Sequence, residues 1–192
     1  MSLESQIEKF RQDYYNENGG KKSSINFFSK SKQKTELAQH ITHQFNLEQL
    51  LEKTVYNIPN TNIIVIDYTI FKLYASEDTY LRIINHIINI FDYCISKYGI
   101  YSVHINLDTF STTAAQRHRH IIEMFNARFD TTEENIYVKY VSELCIYYPP
   151  SVLEMIYNML KNLLNPKLKQ ISRIIPKTES AVKFAELHKT VV

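Results

Sequence analysis

Residues 63–66 read Ile-Ile-Val-Ile, an unbroken run of β-branched apolar side chains. Such a run suits a strand buried on both faces, the kind found in a parallel sheet covered by helices. Asp67 closes it. The next segment, 78–98, repeats its apolar residues at helical spacing. With Tyr80 at zero and about 100° per residue, Tyr80, Ile83, Ile84, Ile87, Phe91 and Cys94 share one half of the circumference. Arg82, Asn85, His86, Asn89 and Asp92 take the other half. Ser76 is placed to cap this helix and Gly99 to end it. A second strand follows over 101–107 (YSVHINL), closed by Asp108. A strand, a long amphipathic helix and another buried strand constrain the fold to the α/β class.

The downstream pattern continues the alternation. Ser111 is placed to cap a helix over about 112–128, and Thr131 with Glu134 has capping-box spacing for a helix over about 132–141. A third strand is expected over 143–148 (ELCIYY), stopped by Pro149-Pro150. Ser151 and Glu154 open the helix VLEMIYNMLKNLL, which Asn165-Pro166 ends. A turn and an edge strand fit 168–175, and Pro176 with Thr178 introduces a last helix through about His188. Upstream, 1–16 fits a short helix. Residues 17–34 read as a basic linker holding the Gly19-Gly20 pair. There Phe27-Phe28 among Lys21, Lys22, Lys30, Lys32 and Lys34 would suit an anionic membrane interface. Apolar spacing over 36–55 predicts one broken helix or two short ones. The expected architecture is a small, mostly parallel sheet covered by helices over 59–192, with a helical extension over 1–58.

Composition excludes several functions. Only three glycines occur, too few for a dinucleotide fingerprint, a phosphate-binding P-loop or a nucleophile elbow. With 22 basic and 20 acidic residues the net charge is 22 − 20 = +2, too balanced for a dedicated nucleic-acid binder. The charged N-terminal stretch MSLESQIEKF is unlike a signal peptide, and no run of 18 apolar residues offers a membrane span. Cys94 and Cys145 each sit in an apolar run and read as buried thiols of a reducing compartment. A cytoplasmic protein, in peripheral contact with membranes, is expected.

Few residues suggest chemistry. Among seven histidines, His40 and His43 share a helix face, and His104 alternates along a strand. No three converge in sequence at metal-ligand spacing, so no metal and no cofactor is expected. The run Arg117-His118-Arg119-His120 suits a phosphate, and protonation of its histidines near pH 6 would strengthen anion binding. Asp67 and Asp108 end strands, where ligands of open α/β sheets bind. No nucleophile accompanies them, so capping or turn roles are expected and no catalytic residue is assigned.

The segment 143–175, ELCIYYPPSVLEMIYNMLKNLLNPKLKQISRII, resembles the closing motif of CRAL-TRIO domains, the lipid-exchange fold. In that family a strand ends in a polar turn with Pro, and an apolar helix closes a pocket over the sheet. A Pro-Lys-Leu-like segment and a last strand follow. The matching parts are Leu144–Tyr148, Pro149, the helix 152–164, and Asn165-Pro166-Lys167-Leu168. The resemblance implies no enzyme, but a pocket for a phospholipid or similar hydrophobic ligand, lined by Val152, Met155, Ile156, Met159, Leu160 and Leu163, with Tyr147 and Phe110. On the wheel the apolar face of this helix spans about 180°, wider than the roughly 100° stripe that covering a sheet requires. The surplus suits a ligand wall, and equally a helix packed in a corner. Lys161, Lys167, Lys169 and Arg173 flank it and suit an anionic surface. The chain departs from the family at 136–141, which lacks the usual Tyr-Pro-Glu-Arg-Leu, and has Tyr147-Tyr148-Pro149 in place of Asn-Ala-Pro. These departures look more like the divergent BCH branch. They imply an alternative, a module that binds a small GTPase or another protein and has no lipid pocket.

Overall fold

The computed structural model describes residues 3–18, 27–128, 136–160 and 165–189. Three helices lead: α1 (Leu3–Asn18), α2 (Phe27–Gln44) and α3 (Leu47–Thr54). Asn46 separates the last two, its side chain accepting from the Glu48 and Gln49 amides at 2.9 and 3.3 Å. The region 36–55 is thus two helices, and its tail is a strand. β1 (Val55–Asn57) turns through Asn60 at φ 60° and pairs antiparallel with β2 (Ile63–Asp67). Val55 continues the helical apolar spacing, which hid this strand in the sequence. The linker expected over 17–34 overlaps two helices at its ends. Glu17 belongs to α1 and residues 27–34 to α2, where Leu37 and Ile41 anchor the helix in the core. Lys21 and Lys22 lie outside the described residues.

After β2 the chain makes an unforeseen helix, α4 (Tyr68–Tyr74), then α5 (Glu77–Tyr98). Gly99 ends α5 in the left-handed region at φ 75°, the conformation glycine tolerates best. β3 (Tyr101–Asn106) follows. The helix expected over 112–128 is broken at His118 into α6 (Thr112–Arg117) and α7 (Arg119–Arg128). Thr131 and Glu134 lie outside the described residues. α8 (Ile136–Tyr140) leads directly into β4 (Val141–Tyr147). α9 (Leu153–Leu160), α10 (Pro166–Gln170), β5 (Ser172–Ile174) and α11 (Lys177–Leu187) complete the order.

The sheet runs β1-β2-β3-β4-β5, and every pair after the first is parallel. Side chains alternate across its two faces. One face carries Val55, Ile64, Ile66, Val103, Ile105 and Leu144. It packs into a single core with Ile7, Leu37, Ile41, Leu50, Leu51, Ile83, Ile84 and Phe91 from the helices. The N-terminal helices therefore share their interior with the sheet. A register shift at Tyr101/Ser102 pairs Tyr101 with Val141 and Ser102 with Glu143, extruding Ser142. Val141 instead of Ser142 then fills the core opposite Tyr101. The second face is polar along its middle, with Ser102, His104, Asn106, Glu143, Cys145 and Tyr147. α11 covers part of it through Phe184 and Leu187 against Cys145, Tyr147 and Ile175. Among the described residues no helix is long and apolar enough to cross a membrane.

Candidate functional site

The segments that follow the carboxyl ends of β2 and β3 build a cleft of about 200 Å³. Its wall holds Arg11 from α1, Lys34 from α2, Lys72 from α4 and Arg117 from α6. Hydroxyls come from Tyr15, Tyr68, Thr109, Ser111 and Thr113, and apolar surface from Leu37 and Leu73. Four cations line it, with no carboxylate among the described residues. Glu8 stands behind Arg11, paired at 2.7 Å. Lys72 donates to Thr109 Oγ1 at 2.6 Å. Burial and the neighbouring Arg11 hold the Lys72 ammonium below its ordinary value, offset by Asp108, Asp67 and Glu8. Burial and Arg11 both disfavour the Lys72 charge, and an anion in this cleft would favour it.

Arg117 is held in place by a buried relay. Its guanidinium donates to His118 Nε2, from Nε at 3.2 Å and Nη2 at 3.0 Å. Arginine is always a donor, so Nε2 must accept and the ring proton sits on Nδ1. Nδ1 then donates to Tyr80 Oη at 3.1 Å, and that hydroxyl lies 3.5 Å from the Arg117 carbonyl. Phe71 and Tyr68 close over the imidazole. Burial first, and Arg117 second, push His118 down to about 3. The expectation that this run gains charge near pH 6 is therefore corrected at His118. The ring is 3% exposed and neutral, and serves to position Arg117. His120 faces outward, 3.9 Å from Glu77.

Asp67 caps α4, accepting from the Thr69 amide at 2.7 Å and its hydroxyl at 2.5 Å. Asn106 donates to its second oxygen at 3.2 Å. Asp108 stands in the loop after β3, its amide on Asn106 Oδ1 at 3.0 Å. These are the cap and turn roles read from the sequence.

The residues expected to line a pocket separate into two groups. Val152 and Ile156 pack with Phe110, Ala115 and Ile122, so α9 rests on α6 and α7. That apolar cluster contains no sheet residue among those described. Tyr147 lies elsewhere, on the polar sheet face against Phe184. Met155 is 61% exposed. The side chains of Met159 and Leu160, and residues Lys161 and Leu163 altogether, lie outside what the structure describes. Beside Val152 an open cleft of about 290 Å³ runs along Phe110, Tyr148, Pro149, Pro150 and Lys177. It shares Thr109 and Ser111 with the cationic cleft, so the two adjoin.

Of the expected anionic-surface residues, the three that the structure describes are engaged with the protein. Lys167 donates to the Val138 carbonyl at 2.9 Å, Lys169 sits 4.6 Å over the Tyr157 ring, and Arg173 pairs with Glu143 at 3.8 Å. The cleft as a whole escaped the sequence reading because its four charges come from four elements. Its local signals were Arg117, in the run read as suited to a phosphate, and the alternating hydroxyls Thr109, Ser111 and Thr113. No protein-family model matches this chain, and no curated protein is similar to it.

Proposed function

We propose that this protein binds, without transforming it, an amphiphile with a phosphate head, in the manner of the CRAL-TRIO lipid-binding domains its C-terminal half resembles. The observation that carries the reading is the cleft wall itself, which holds four cations and, among the described residues, no carboxylate, with Asp108 lining the adjoining cleft. Arg11, Lys72 and Arg117 take the phosphate, with Thr109 and Ser111 as neutral donors. The adjoining cleft along Phe110 and Val152 takes the first part of an apolar chain, each buried methylene contributing about 0.8 kcal/mol. The two clefts are small for a whole two-chain lipid, so the remaining hydrocarbon stays in the bilayer and the protein works at a membrane surface. A binding role agrees with the thiols, which burial pushes up to about 11 at Cys94 and about 12 at Cys145, away from nucleophilic use.

Calorimetry with glycerol 3-phosphate and dodecyl phosphate tests both halves. Both compounds should bind, the second more tightly, and Lys72→Met with Arg117→Met should weaken both. Absence of binding by either, or full binding by the double variant, refutes the reading. A second reading is the protein-interaction module of the BCH branch. It draws on Ile174 and Val182, which are 54% and 61% exposed on β5 and α11. Binding of a purified small GTPase, abolished by Ile174→Lys with Val182→Lys, supports it. Indifference to those substitutions removes it.

A further inference from the structure

The polar sheet face carries a second constellation, separate from the cationic cleft. His104 on β3 lies directly opposite Cys145 on β4, and Glu143 precedes Cys145 by one pleat on the same face. One donor atom from each lies within 4.8 Å of the others. We propose that His104, Glu143 and Cys145 form a binding site for a thiophilic divalent transition metal such as zinc.

The chemistry fits. Imidazole, thiolate and carboxylate are the three ligand types zinc accepts, and a thiolate selects against magnesium and calcium. A tetrahedral site with bond lengths of about 2.0–2.3 Å separates its donors by about 3.5 Å. The three groups close to that spacing by side-chain rotation, since their strands are already hydrogen-bonded in register. His104 holds a hydroxyl at each ring nitrogen, Ser102 Oγ 3.2 Å from Nε2 and Tyr147 Oη 2.9 Å from Nδ1. The metal takes one of these places. The hydroxyl on the other nitrogen stays and fixes the ring, as outer-shell partners do in histidine metal sites.

Charge also balances. Coordination releases the Cys145 proton to solvent, and the thiolate with the Glu143 carboxylate then neutralises the divalent ion. Burial now favours the neutral thiol, and Glu143 reinforces this. A bound cation reverses the preference. Arg173 loses only a long ion pair to Glu143 and is already exposed to water. The half-exposed Glu143 gives the ion its way in. Three protein ligands leave a fourth position open to water.

Cobalt(II) titration of the reduced full-length protein is the direct test. The wild type should develop thiolate-to-cobalt charge-transfer absorption in the near ultraviolet, displaced by one equivalent of zinc. Cys145→Ala should lose the band, while Cys94→Ala, altered in the other core, should keep it. His104→Gln should weaken cobalt more than the roughly 10- to 100-fold that losing an outer-shell partner costs. A wild type without the band, or Cys145→Ala with the band intact, overturns the proposal. A second readout needs no substitution: zinc should protect Cys145 but not Cys94 from alkylation, read by peptide mass. Equal alkylation of Cys145 with and without zinc counts against the site.

Discussion

Acidification should destabilise this protein through one identified ring. His118 is 3% exposed, enclosed by Tyr68, Phe71 and Tyr80, and faces the Arg117 guanidinium. Its folded value is about 3 against an ordinary 6.5. The sign follows from linkage. A base whose value is lowered by folding binds protons more readily when unfolded, so its contribution is complete above pH 6.5 and is lost as pH falls toward 3. At pH 5 the unfolded imidazole is almost fully protonated and the folded one is not, a difference of about 2 kcal/mol. Below pH 3 the difference reaches about 5 kcal/mol. Urea unfolding of wild type and His118→Asn at pH 7.5 and pH 5.0 isolates the effect. His104, which burial also holds low, is common to both proteins and cancels in the comparison. The wild type should lose about 2 kcal/mol more than the variant between the two pH values. Parallel losses would mean that the ring is not held neutral in the interior, and the relay that positions Arg117 would fall with it.

Two further outcomes test the packing. Leu50→Ala removes a fully buried side chain from the core that α3 shares with the sheet, and should cost about 2–5 kcal/mol in urea unfolding, cooperatively. Gly99→Ala meets no atom within 4 Å but must hold φ at 75°, so it should cost about 1 kcal/mol from backbone strain alone, read as a lower thermal midpoint.

Local signals gave the framework. The Ile63–Ile66 run, the half-apolar circumference of 78–98 and Gly99 placed β2, α5 and the turn into β3, because each depends on neighbours in sequence. β1 was hidden because Val55 fits both a helical stripe and a strand, and only pairing with Ile66 decides between them. The break at His118 was hidden for a related reason. Tyr80 and Phe71, remote in sequence, hold that ring. Neither site was legible as a whole, and of the cationic cleft only Arg117 was read as suited to a phosphate. The cationic cleft unites residues as distant as Arg11 and Arg117, and the donors on β3 and β4 meet only through a register that a bulge sets. The apolar helix after Pro150 was legible as a helix. Its seat on α6 was not, since an apolar stripe does not name the surface it covers.

The order of the sheet has a consequence for life in a crowded solution. Its two borders are β1 and β5, three residues each, while the longer β2, β3 and β4 lie between them. A neighbouring molecule seeking to extend the ladder would find few unpaired backbone groups on either side. Edge-to-edge growth into fibres is thereby discouraged, although the inner strands are rich in the Ile and Val that such growth favours.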